Sequence, residues 1–203
     1  MEKEVDDIYY TISEPVEAVF TEKRSKFLGF AFPVSTVEEV KDHLAELQKK
    51  YYDARHLCYA YMLGFDRSTY RANDNGEPSG TAGKPILGQL NHFNLTNVLV
   101  VVVRYFGGIK LGTGGLIVAY RTVSRILLEE AEILECTIQE SITVSYAYPL
   151  MNEVMRVVKE EMPQVTKQQF EIDCLLVMSI RASRMPILRK RFEDLRDVII
   201  VEK

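Results

Sequence analysis

The sequence predicts an α+β chain in two units, and three observations carry that expectation. Val98, Leu99, Val100, Val101, Val102 and Val103 form an unbroken aliphatic run, too short and β-branched for a good helix and long enough for a fully buried strand. Amphipathic stripes flank it, with Val37, Val40, Leu44 and Leu47 upstream and Leu116, Ala119, Tyr120, Val123, Ile126 and Leu127 downstream, each at helical spacing. After Glu140 the pattern becomes β, α, β, β, α, β, the ferredoxin-like order.

The first unit opens with strand-like segments at residues 8–12, 16–22 and 26–34, the last placing Leu28, Phe30, Phe32 and Val34 on one face. Thr36 and Glu39 make a capping-box pattern that starts the first helix, which ends before Tyr51. A strand over residues 56–64 follows, then a polar, glycine-rich stretch over 65–88 that reads as a long functional loop and leaves His92 in a loop beside Asn91 and Asn94. The valine strand, a glycine-rich segment, a helix to about Ala131 and a closing strand over 133–138 complete the unit.

In the tail, residues 141–147 read as a strand and Pro149 starts a helix with the stripe Met151, Val154, Met155, Val158 and Met162. Residues 164–170 and 174–180 form a hairpin, Ser183 caps a helix carrying Leu188, Phe192 and Leu195, and residues 198–201 close the sheet. The expected domains are 1–138 and 139–203. The second has ten bases, ten acids and no glycine, which suits a platform better than a ligand cradle.

At 203 residues and 47 % hydrophobic content the chain can build real cores. No apolar run approaches the ~20 residues of a membrane span. The acidic start, with Glu2, Glu4, Asp6 and Asp7, lacks the features of a signal peptide, so the expected location is cytoplasmic. Cys58, Cys136 and Cys174 are odd in number, far apart and set in apolar runs, which points to buried thiols; no metal and no cofactor is expected. The net charge of −4 argues against a generally basic nucleic-acid binder, yet residues 51–125 carry eight bases against four acids.

That locally basic middle contains Arg104 to Tyr120, with Gly107, Gly108, Gly112, Gly114 and Gly115 between the buried strand and a helix. Such a helix start presents unpaired N–H groups and the positive end of the dipole, worth roughly 0.3–1 kcal/mol to an exposed anion, so Lys110 and Arg104 would have to contribute. Tyr105 and Phe106 beside it read as core packing at a strand end or as rings on which a base can stack. A nucleotide P-loop is excluded, because Pro78 and Pro85 occupy positions where GTAGKP would need a glycine and a hydroxyl. Ile117 likewise breaks the dinucleotide fingerprint. Candidates for acid–base chemistry are Asp74, Glu77 and His56, with Ser79 and Thr81 as hydroxyls; Asp74 and Glu77 also read as turn formers and loop caps. Arg184, Arg189, Lys190, Arg191 and Arg196 around the last helix read as a solvated face or a nucleic-acid contact.

Four segments in order, SKFLG (25–29), HLCYAY (56–61), DNGEPSGTAGKPIL (74–87) and RYFGGIKLGTGGL (104–116), resemble the IMPACT (YigZ) family over about residues 16–130. The tail resembles the extra C-terminal domain of its bacterial members. The resemblance implies an N-terminal fold like domain IV of elongation factor G and a small-subunit ribosomal protein, and a tail like that factor's domain V. Eukaryotic relatives regulate translation by competing for the activator of a starvation-responsive initiation-factor kinase. The implied ligand face comprises Asp74, Gly76, Glu77, Pro78, Ser79, Gly80, Thr81, Gly83 and Lys84 with Arg104, Tyr105, Gly107, Gly108, Lys110, Gly112, Thr113, Gly114 and Gly115. Asn75, Leu57 and Val118 depart from the family pattern, the last removing one positive charge; Arg121 lies one turn further on.

The leading expectation is a translation-related binding protein that engages RNA phosphate, or a ribosome-associated or translation-regulatory partner, without a membrane. The rivals are an enzyme on a small phosphorylated or acidic substrate with Asp74 or Glu77 as general base, and a protein–protein adaptor.

Overall fold

The computed structural model describes residues 7–171 and 173–201, so Glu2, Glu4 and Asp6 of the acidic start lie outside the described residues. The chain separates into two compact units, one of Tyr9–Cys136 and one that joins Thr137 onward with Asp7 and Ile8.

In the first unit, β2 (Val16–Glu22), β3 (Ser25–Pro33), β6 (Val98–Tyr105), β4 (His56–Leu63) and β5 (Thr69–Asn73) form an antiparallel sheet in the order β2-β3-β6-β4-β5. The valine run is its central strand. Helix α1 (Val37–Lys50) covers one face, burying Val40 and Leu47 with Phe30, Tyr61, Leu99, Val101 and Val103. Helices α2 (Gly83–His92) and α3 (Gly112–Glu130) cover the other, where Ile86, Leu90, Leu116, Tyr120, Val123 and Leu127 meet Phe27, Val100 and Val102. Both faces of β6 are therefore dry, which explains a strand without polar alternation. Strands β1 (Ile8–Ile12) and β7 (Ile133–Thr137) make a separate pair.

Local signals hold where they are strong. Glu39 N–H donates to Thr36 Oγ1 at 3.2 Å, and Ser35 N–H donates to Glu39 Oε2 at 2.6 Å, a capping box displaced by one residue. The long loop expected over 65–88 instead contains β5 and the start of α2, and His92 is the last residue of that helix. Pro85 is tolerated because it stands in the first turn, where its missing N–H has no intrahelical acceptor.

In the second unit, β8 (Gln139–Ala147), β9 (Gln164–Gln169), β10 (Asp173–Arg181) and β11 (Val198–Val201) form an antiparallel sheet in the order β11-β8-β10-β9, the split βαβ topology. Helices α4 (Met151–Glu161) and α5 (Met185–Glu193) pack on one face around Val154, Val157, Val158, Leu188 and Phe192. Two expectations are corrected. Tyr148–Leu150 is a 3₁₀ turn before α4, and Met155 and Met162 point to solvent, Met162 being the left-handed residue that ends the helix. Ser183 lies in a second 3₁₀ turn, Ala182–Arg184, so it does not cap α5, and Leu195 lies beyond the end of that helix. Cys58 and Cys174 are buried and Cys136 half-buried, all three as free thiols.

Candidate functional site

Two loops and one hairpin turn meet at the end of the five-stranded sheet where β6 finishes and β4 begins. Lys23 and Arg24 turn the β2–β3 hairpin with positive φ at both positions, as a tight two-residue turn requires. Gly107 packs against this turn so closely that a Cβ there would lie 2.0 Å from the Arg24 carbonyl carbon. Its N–H donates to Ser25 Oγ at 3.2 Å. The approach sets the exposed Arg24 beside the glycine loop, a cation that no periodicity or motif announces.

Beneath the loop lies a buried polar network. Arg104 Nη1 donates to Glu77 Oε1 at 2.6 Å, Tyr120 donates its hydroxyl to the same oxygen at 2.9 Å, and Arg104 Nη2 donates to Ser25 Oγ at 3.4 Å. The Arg104 guanidinium also lies 5.5 Å from the Phe27 ring centroid and 5.7 Å from that of Phe106. Cys58 donates to the Asp74 carbonyl at 2.9 Å and stands 3.4 Å from the Tyr120 hydroxyl. Burial pushes the Cys58 thiol up to about 12, so it is an inert hydrogen-bond donor at neutral pH. Burial likewise raises Tyr120, reinforced by Cys58 and Glu77, which keeps its phenol a donor.

Asp74 organises the second loop. Its carboxylate accepts from Gly80 N–H at 2.8 Å, Ala82 N–H at 2.9 Å and Gly83 N–H at 2.8 Å, the last two opening α2. The helix is capped by a side chain eight residues before Ala82, since Ala82 itself has no side-chain oxygen to offer. Burial opposes ionisation of Asp74, but those three bonds and nearby Lys84 outweigh it and hold the carboxyl below its ordinary value. Thr81 is buried and donates its hydroxyl to the Pro78 carbonyl at 2.6 Å. Gly83 lets α2 start against β5, where a Cβ would meet Asn73 N at 2.5 Å.

Of these side chains, Glu77 and Arg104 reach a cleft of about 370 Å³ lined also by Arg55, His56, Pro78, Phe106, Lys110, Leu111, Gly112, Thr113 and Leu116. Three permanent cations face one carboxylate, itself spoken for by Arg104. His56 Nδ1 lies 3.0 Å from the Asn75 carbonyl and must be the donor there, because a carbonyl oxygen only accepts. The first turn of α3 opens here with no side-chain cap, and a Cβ at Gly112 or Gly114 would meet no atom within 4 Å. The backbone is open to an approaching group. Among the described residues, no group of three or more His, Cys, Asp or Glu side chains clusters in a metal-binding arrangement.

Of the residues expected at a ligand face, the fold brings Glu77, Pro78, Arg104, Lys110, Gly112 and Thr113 to this cleft, and it adds His56, expected only as an acid–base candidate. Lys84, Ser79, Gly80 and Thr81 are not in its lining, and Gly76 turns the chain with positive φ beside His56. Gly108 also has positive φ, and Gly115 packs against Leu111. Tyr105 lies on the opposite face of the sheet with the α1 core, where its hydroxyl donates to Asp53 Oδ1 at 2.7 Å. Alternation along β6 forces this, because Arg104 already faces the cleft side. Arg55, which the sequence reading passed over as a site residue, joins the cleft because it immediately precedes β4 beside His56.

Glu77 and Asp74 do not have the surroundings of general bases. The first is held in a buried ion pair and the second accepts three backbone N–H bonds. Both shape the loop, the alternative their residue types also allowed.

Residues 23–128 match the model of the Impact N-terminal domain. The chain is 44 % identical over 112 residues to the IMPACT family member YvyE of Bacillus subtilis (strain 168), a match covering 55 % of this chain and 52 % of that one. It is 34 % identical over 163 residues to an IMPACT family member of Haemophilus influenzae, covering 78 % of each. It thus spans about half the length of YvyE. A crystal structure of a hypothetical protein superposes with a TM-score of 0.73 at 27 % identity, covering 98 % of both chains. Among the described residues, no helix is long and apolar enough to cross a membrane. With the family model matching residues 23–128, more than half of its length, the chain belongs to the IMPACT family.

Proposed function

We propose that this protein is a cytoplasmic binding protein of translation that engages RNA phosphate through the cleft between the glycine loop and α3. The observation that carries the reading is the convergence of Arg55, Lys110 and an uncapped, sterically open helix start on one cleft whose lining carboxylate, Glu77, is internally paired. Such a surface favours an anion through permanent charge and backbone N–H groups together. Family membership supports this reading, and the likeness to domains IV and V of elongation factor G that the sequence resemblance implies for the two units would put the protein on or near the ribosome. The lack of an available general base at Asp74 or Glu77 favours binding over turnover.

The test is binding of the purified protein to ribosomal subunits and to short single- and double-stranded RNA across a salt series, with Lys110→Ala alongside. The expected result is affinity that falls steeply with salt, with the variant weaker on every sequence and its salt slope reduced by about one. Salt-independent binding, or no effect of the substitution, overturns the reading.

A further inference from the structure

The cleft combines two chemistries that a bare anion would not need. The Phe106 ring lines it while 49 % exposed, backed by the Arg104 guanidinium at 5.7 Å, and Leu111 and Leu116 extend the apolar wall. An exposed ring held by a guanidinium is a stacking platform for a flat, unpaired base. Arg104 lines the same cleft, is only 6 % exposed, and keeps an Nε with no hydrogen-bond partner. Buried donors are ordinarily satisfied, so this guanidinium still has a donor to give. At about 370 Å³ the space is near the lower end of ligand pockets, roughly 300–1,000 Å³. It suits one nucleotide unit and not a duplex, whose bases are already stacked on both faces.

Building on the anion-binding reading above, we infer that the cleft is a mononucleotide site, in which an unpaired base stacks on Phe106 and its phosphate sits at the first turn of α3 between Lys110 and Arg55. The shared chemistry is that of a nucleoside monophosphate, free or as the phosphorylated end of a single strand. Phe106 supplies the part of the affinity that does not depend on salt, and the cations supply the part that does.

Calorimetric titration of the full chain with AMP, ribose 5-phosphate and tetraadenylate with and without a 5′-phosphate tests this, using Phe106→Leu and Lys110→Ala. Phe106→Leu keeps apolar packing and removes the ring, and unchanged circular dichroism verifies the fold. AMP is expected to bind at least about tenfold more tightly than ribose 5-phosphate. Phe106→Leu should erase that ratio, whereas Lys110→Ala should weaken both ligands alike. Preference for the 5′-phosphorylated tetramer over its unphosphorylated form identifies a strand end as the source, and binding of AMP without either tetramer identifies the free nucleotide. Equal binding of AMP and ribose 5-phosphate, or an unchanged ratio in Phe106→Leu, overturns the inference. If RNA still binds in a salt- and Lys110-dependent way, only the mononucleotide site fails; if neither RNA nor AMP binds, the anion reading fails with it.

Discussion

Arg104 and Glu77 form an ion pair at 2.6 Å with side chains only 7 % and 4 % exposed, joining the end of β6 to the loop that Asp74 organises. Removing one charge of such a pair leaves the other uncompensated, which costs about 3 kcal/mol or more, whereas the intact pair itself contributes little net stability. Glu77→Gln is therefore expected to lower unfolding stability by about 3 kcal/mol, and Arg104→Gln by a similar amount. The double variant should lose less than the sum. Urea denaturation of the four proteins measures the coupling, and additive losses would show that the pair does not act as a unit.

This pair marks where the sequence stopped being informative about the site. Glycine spacing, Lys110 and the apolar stripe of α3 located a loop and a helix start, because backbone freedom and periodicity are local properties. The partner of Glu77 lies 27 residues away and its second donor, Tyr120, 43 residues away. Only the register of β3, β4 and β6 brings them together. A carboxylate in a polar loop reads the same whether it is a base or a strut.

Gly107 and Gly114 are expected to respond in opposite ways to alanine. At Gly107 a Cβ would lie 2.0 Å from the Arg24 carbonyl carbon and 2.4 Å from Ser25 N, both backbone atoms, so the glycine loop must lift from the β2–β3 turn. At Gly114, in the first turn of α3, nothing lies within 4 Å, so alanine should raise helix stability by up to about 1 kcal/mol. If a ligand approaches that open backbone, Gly114→Ala should also weaken its binding while the protein becomes harder to unfold. Thermal denaturation beside RNA titration separates the two effects.

The fold was legible wherever a period was sustained. The valine strand, α1, α3 and the strands and helices of the βαββαβ tail each follow from a run or stripe of consistent apolar pattern. Helix α2 did not, and the reason is physical. Its sequence GKPILGQLNH carries two glycines and a proline, and its cap is Asp74, not a neighbouring residue. Tertiary contacts override the weak local propensity. The same holds for Met155 and Met162, whose spacing fits the α4 stripe while Val157 takes the buried position.

Asp7 serves the second unit from the far end of the chain. Its carboxylate accepts from Arg181 Nη2 at 2.7 Å, Arg181 Nε at 3.1 Å and Ser183 N–H at 3.2 Å, and Ile138 N–H donates to its carbonyl at 2.7 Å. Those bonds from Arg181 and Ser183 hold its carboxyl well below the usual carboxylate range. Asp7→Ala is expected to speed amide exchange at Ser183 and Ile138 selectively. Exchange at buried strand residues of the other unit, such as Val101, should stay unchanged.

Asp74 links this architecture to pH. Its carboxyl titrates below the ordinary value of 3.8, because three backbone donors prevail over the cost of burial. The unfolded chain therefore takes up this proton at a higher pH than the folded one, and stability rises with pH across that interval. The contribution is fully present above about pH 4 and lost as the pH falls through the folded value. Asp74→Asn should cost roughly 1.5–3 kcal/mol at pH 7, the worth of a charged hydrogen bond. Its deficit relative to the unmodified protein should shrink as acid protonates Asp74 in the latter. Denaturant titrations at pH 7 and pH 3 measure both deficits, and equal values would mean that the Asp74 charge does not hold the α2 start.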